Sequence, residues 1–248
     1  MTSIAVAFDV SRLRQDLIGE KRSLAQTVRR AVNAMAYGGR DAIKADMVRT
    51  FDRPTPWVLN SVNVIPATDS DVLAGTAVAV IDWKPGSAGT IPGYKILRAQ
   101  IEGGARRLKR FERVIGLPAN RVAVPGKWAE LDAYGNISRG QITKLLSYLR
   151  LFGEQGYRAN RSNRAGRGAR QIEKYFMIPV GAEHATLAPG IYRNAQEMGG
   201  APLLIIAFVR AANYRARFRP ADIARAYVQS NTSTIWQQAL TRTLPFRR

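Results

Sequence analysis

The sequence predicts an α+β protein in which a long N-terminal helix packs on a small, mostly antiparallel sheet, followed by further helices and a C-terminal helix. Three observations carry this. Between Gly19 and Phe51 the apolar residues recur at steps of three and four, the period of one helix face. Between Val58 and Trp83 two β-branched runs flank a polar turn, the pattern of paired strands. Near the end, Pro202 to Val209 is an unbroken apolar run of strand length, and a new helical stretch opens at Pro220. Residues 1–248 read as a single domain carrying a basic, arginine-rich arm or loop at about 156–172.

In chain order, Ile4 to Phe8 alternates like a short strand, and Asp9 or Ser11 can cap a helical turn through Leu17. The long helix then places Leu24, Val28, Ala31 or Val32, Met35, Ala42 or Ile43, and Met47 on one face. Lys21, Arg22, Arg29, Arg30, Arg40, Lys44 and Arg49 cover the other. Gly38-Gly39 costs roughly 1 kcal/mol per glycine relative to Ala, which predicts a kink or a close helix contact at that point. Pro54 and Pro56 stop the helix at about Phe51. Val58 to Ile65 and Leu73 to Trp83 follow as an antiparallel pair joined by the turn Ala67 to Asp71.

From Ala105 onward Leu108, Phe111 and Ile115 recur at helical spacing among Arg and Lys, predicting a short basic amphipathic helix. Val122 to Leu131, interrupted by Pro125-Gly126, reads as a hairpin or irregular strand. Ser138 caps a helix over Gln141 to Phe152 with Ile142, Leu145, Leu146, Leu149 and Phe152 on its core face, and Gly153 ends it. Lys174 to Val180 regains sheet character, Pro202 to Val209 is the expected central strand, and the helix from Pro220 carries Ile223, Tyr227, Ile235, Trp236 and Leu240.

Composition sets the class of partner. Thirty-eight Lys and Arg against eighteen Asp and Glu give a formal charge of +20, which draws the chain to phosphate-rich or acidic surfaces. The absence of Cys rules out disulfides, zinc ribbons and thiol catalysis. Met1 to Phe8 meets Asp9 and Arg12 too soon for a signal-peptide core, and no run reaches the ~18 apolar residues of a membrane span. The expectation is a soluble protein made in the cytoplasm that does not engage a membrane. The densest charge lies at Arg158, Arg161, Arg164, Arg167 and Arg170, one Arg at every third position with only small or polar residues between. Such a stretch has nothing to bury and suits phosphate or carboxylate contacts.

Catalytic patterns are sparse. His184 is the only histidine, so His-based metal sites and Ser-His-Asp arrangements lack material. Pro85-Gly86-Ser87-Ala88-Gly89 lacks the Gly-Lys-Ser or Gly-Lys-Thr ending of a phosphate-binding loop. Asp82-Trp83-Lys84, with Asp69 and Asp71 on the preceding turn, is the one pattern that would suit a Mg²⁺-dependent nuclease. No cofactor, metal ligand or catalytic residue is assigned.

Four segments carry a family resemblance: Phe51 to Ser61 (Phe-Asp-Arg-Pro-Thr-Pro-Trp-Val-Leu-Asn-Ser), Glu102 to Glu112, Leu131 to Gln141, and Gly190 to Arg193 before an apolar strand. Together they resemble tailed-bacteriophage neck and tail-completion proteins of the minor tail protein Z group, with the stretch Lys84 to Arg170 as an insertion relative to the smaller neck proteins. The resemblance implies a long N-terminal helix, a proline-bearing stop, a small antiparallel sheet and a final helix, in a non-enzymatic virion protein assembled as an oligomeric ring, either at the head-tail connector or completing the tail. Its implied partners are the portal-side connector or adaptor, tail proteins and further copies of itself, with possible non-specific contact with packaged DNA. Arg106, Arg107, Lys109 and Arg110 and the arm Arg158 to Arg170 are the candidate contact residues, followed by Arg29, Arg30 and Arg40. A free basic DNA-binding protein is the alternative reading, and the metal nuclease a third.

Overall fold

The computed structural model describes residues 3–9, 21–86, 91–151, 175–182, 186–194 and 200–243. The fold is α+β, as the sequence predicts, with the long helix packed on a small antiparallel sheet and a long helix closing the described chain. The chain forms two compact units: Met1–Gly104 with Tyr214–Arg248, and Ala105–Asn213. The chain passes between them at two short strands, β4 (Gly104–Ala105) and β9 (Asn213–Tyr214).

The first unit is built on α1 (Lys21–Thr50). A three-stranded antiparallel sheet in the order β1-β3-β2 lies against it, formed by β1 (Ile4–Asp9), β2 (Val62–Ile65) and β3 (Thr76–Trp83). The register pairs Ile4 with Ile81 on one side of β3 and Val62 with Trp83 on the other. Two periodicities meet in this core. Every second residue of β3 (Ala77, Ala79, Ile81) is buried against Val28, Val32, Ile43 and Met47 of α1, spaced by four, eleven and four residues, close to whole helical turns. Each fully buried Val, Ile or Met contributes roughly 1.5–3 kcal/mol of transfer free energy.

The closing helix α7 (Pro220–Thr243) packs along α1. Small residues allow the approach, and Gly38-Gly39 sits there without breaking the helix. A Cβ at Gly39 would lie 3.0 Å from Ile81 Cδ1 and 3.6 Å from Ala224 Cβ, and one at Gly38 would run into the Tyr227 ring. The glycine pair is therefore a close helix contact, not a kink. Phe218, fully buried just before α7, meets Phe51 edge-on with ring centroids 5.3 Å apart.

Several boundaries differ from the sequence reading. Val58-Leu59 lies not in a strand but in the short helix α2 (Pro56–Leu59), because Thr55 caps it by accepting the Val58 N–H and Pro56 occupies a first-turn position. The turn before β3 is itself a short helix, α3 (Asp69–Leu73), closed by a capping box. Thr68 Oγ1 accepts the Asp71 N–H, and Asp71 accepts the Thr68 N–H. Gly75, at φ 87°, then delays β3 to Thr76. Sequence reading placed no helix at α4 (Gly93–Ile101).

The second unit holds an antiparallel sheet in the order β5-β8-β7-β6, formed by β5 (Arg121–Pro125), β6 (Tyr175–Ile178), β7 (Gly190–Arg193) and β8 (Leu203–Arg210). The apolar run is interior as expected, flanked by β5 and β7. Adjacent Ile205 and Ile206 are both buried because the register with β7 steps from Ile206 to Leu204, leaving Ile205 at a bulge. α5 (Arg110–Val114) and α6 (Arg139–Tyr148) accompany this sheet, and Leu145 of α6 lies in its core. Ser138 caps α6 by accepting the Gln141 N–H. The helix stops at Tyr148, earlier than the expected Phe152, with Arg150 at φ 54° just beyond it. No described helix is long and apolar enough to cross a membrane.

Candidate functional site

The basic segment 105–113 does not form one helix. Gly103 and Gly104 hold φ of 83° and 86°, conformations an L-residue avoids, and after β4 the chain is irregular from Arg106 to Lys109 before α5 begins. Phe111 and Ile115 still turn inward, packing against Leu117, Leu145 and their neighbours, as the apolar spacing predicts. Arg107, Lys109 and Arg110 are exposed.

Arg106 has a different place. Its side chain is only 21% exposed and grips Glu112, which is 0% exposed, through two hydrogen bonds: Nη1 donates to Oε2 at 2.8 Å and Nη2 to Oε1 at 2.5 Å. Two backbone amides complete the shell. Lys109 N–H donates to Oε2 at 2.5 Å and Ala123 N–H to Oε1 at 2.8 Å. Both carboxylate oxygens thus accept two donors, from the loop, the start of α5 and strand β5. Burial by itself pushes the Glu112 carboxyl up, but the Arg106 guanidinium and the two amides outweigh it and hold the group below the usual carboxylate range. Arg106 is therefore a structural cation spent on an internal carboxylate, which removes it from the partner-contact set.

Glu112 escaped the sequence reading although a signal was present. It is the lone acid among five cations from Arg106 to Arg113, and it stands three residues after Lys109, the spacing at which a helix-start acid reaches back to a backbone amide. Arg158, Arg161, Arg164, Arg167 and Arg170 lie outside the described residues, as does His184.

The second-rank arginines are on α1 as expected. Arg29 Nε lies 2.8 Å from Asp69 Oδ1, too far off the N–H line for a hydrogen bond. Arg30 Nη1 donates to Thr243 Oγ1 at 3.0 Å. Arg40 bonds Asp41 at 2.8 Å and lies over the Tyr37 ring, 5.0 Å from its centroid. The carboxylates of the nuclease reading have local partners: Asp69 faces Arg29, Asp71 closes the α3 cap, and Asp82 accepts the Trp83 N–H at 2.7 Å. Among the described residues no group of three or more His, Cys, Asp or Glu is placed to hold a metal ion.

Comparison with protein-family models, curated proteins and solved structures gives no match to this chain.

Proposed function

We propose that this chain is a non-enzymatic structural protein of a tailed-phage virion, a subunit of the head-to-tail joining or tail-completion ring. The observation that carries the reading is the order of its first unit. A 30-residue basic helix, a proline stop, a small antiparallel sheet and a closing helix follow one another as the sequence resemblance implies. The charge is distributed as such a role requires: α1 buries its apolar stripe, while exposed cations at Arg107, Lys109 and Arg110 remain for acidic neighbours. In this role the chain works through surfaces, and copies close around an axis by repeating one heterologous contact.

The +20 charge also favours a second reading, a free protein that coats or condenses DNA. Mass measurement of the purified chain, alone and with purified phage connector, at low and high salt, separates the two. A ring reading requires discrete multiples of the subunit mass on the connector. Monomers that ignore the connector but bind DNA with a steep salt slope would favour the free DNA-binding protein.

A further inference from the structure

Between α1 and α7, within the first unit, lies an open groove of about 570 Å³ whose charged lining comes from three arginines: Arg29 and Arg30 on α1, and Arg242 on α7. The helix period explains the convergence. Arg29, Arg30, Asn33 and Tyr37 fall on one α1 face, and Gln238 and Arg242, four apart, fall on the facing side of α7. Ala34 and Ala239 add small side chains to the lining, which leave the space open, and beneath it Ala31 and Met35 pack with Ala239. Asp69, beside Arg29, is the acid paired with these cations, leaving a local excess of two positive charges.

We propose that this groove binds the phosphodiester backbone of a nucleic-acid strand. Its volume falls in the range of ligand sites, about 300–1,000 Å³. Arginine forks on two helices match phosphate oxygens bidentately, where lysines would act as point charges. Tyr37 supplies an aromatic ring at the same wall, the feature missing from the arginine-rich stretch 158–170, and aromatic rings beside a basic groove stack unpaired bases. An acidic peptide would satisfy the arginines but make no use of the exposed Tyr37 ring, which Arg40 covers from one side. The site stands whether or not the chain belongs to a virion ring.

The test uses the full chain, a short fluorescein-labelled single strand and its duplex, and anisotropy over a range of salt concentrations. Arg30→Ala with Arg242→Ala is compared with Arg215→Ala with Arg225→Ala, which removes the same charge from exposed positions outside the groove. Ala34→Trp fills the groove and leaves every charge in place. The groove double variant is expected to bind about tenfold more weakly, with a salt slope smaller by about 1.4 on single strand, two contacts at about 0.7 each. Ala34→Trp is expected to weaken binding similarly with an unchanged thermal melt, and the control pair to retain most of the affinity. Competition by inorganic phosphate would show that free phosphate as well as a strand can supply the ligand. Equal losses in groove and control pairs, an unaffected Ala34→Trp, or equal competition by a poly-glutamate peptide would each overturn the assignment.

Discussion

Replacing Glu112 with Gln keeps the side-chain volume but turns one carboxylate oxygen into an NH₂ group. Whichever way the amide faces, that group meets two donors: Arg106 Nη2 with Ala123 N–H on one side, or Arg106 Nη1 with Lys109 N–H on the other. At least two of four hydrogen bonds to a charged group are lost, each contributing about 1.5–3 kcal/mol. The mostly buried Arg106 also loses its counter-charge, and breaking a buried pair from one side costs about 3–5 kcal/mol. The expected destabilisation of the second unit is therefore on the order of 3–5 kcal/mol, a large share of the roughly 5–15 kcal/mol that holds a domain folded. Urea titration followed by amide exchange localises the loss: peptides covering Arg121–Pro125 and Leu203–Arg210 should lose protection at lower urea, while those in α1 should not. Arg107→Ala, on an exposed side chain, should change stability by less than about 0.5 kcal/mol. Because the folded Glu112 carboxyl lies below its ordinary 4.5, its stabilisation is complete above that value and is lost as pH falls through the depressed folded value. The Gln variant should lack this acid dependence. A shift under about 0.5 kcal/mol for Glu112→Gln, or an unchanged acid limb, would refute the view that this carboxylate ties the loop, α5 and β5 together.

Other perturbations probe the packing. Gly39→Val crowds Ile81 and Ala224 and should destabilise the first unit by about 1–3 kcal/mol in thermal unfolding, whereas at an open helix site Val would outperform Gly. Met35→Ala, in the small cluster beneath the α1–α7 groove, should cost about 2–5 kcal/mol in chemical denaturation. Ser138→Ala removes the cap that accepts the Gln141 N–H and should cost about 1 kcal/mol, with faster exchange confined to the first turn of α6.

The parts of the fold that were legible in the sequence are those set by local periodicity over many residues. The stripe from Val28 to Met47, the proline stop, the pairing of β2 with β3, the Ser138 cap and the interior strand β8 all follow from side-chain spacing or a single cap chemistry. What escaped was set by short-range competition or by contacts distant in sequence. Thr55-Pro56 nucleates a turn of helix where Val58-Leu59 were read as strand, and Thr68-Asp71 nucleates one where a polar turn and the start of a strand were read. Gly103 and Gly104, at positive φ, lead into β4, and the helix read from Ala105 starts only at Arg110. Of the candidate contact residues, Arg107, Lys109 and Arg110 are exposed, but Arg106 could not be told from them by charge. Its distinction comes from Glu112 and from Ala123, seventeen residues away, whose amide shares the same carboxylate. The groove was only half visible, because Arg29 and Arg30 acquire Arg242 as a neighbour only when α7 returns along α1.

As proposed above, the chain would serve as a subunit of a virion ring. Cryo-electron microscopy of intact tailed particles, with this polypeptide identified by mass spectrometry of the same preparation, addresses it most directly. The expected result is a closed ring at the head-tail junction or tail end, in whose density α1, its three-stranded sheet and α7 can be fitted in every subunit. Particles that assemble and infect with the polypeptide absent, while the protein is recovered bound to intracellular DNA, would contradict it.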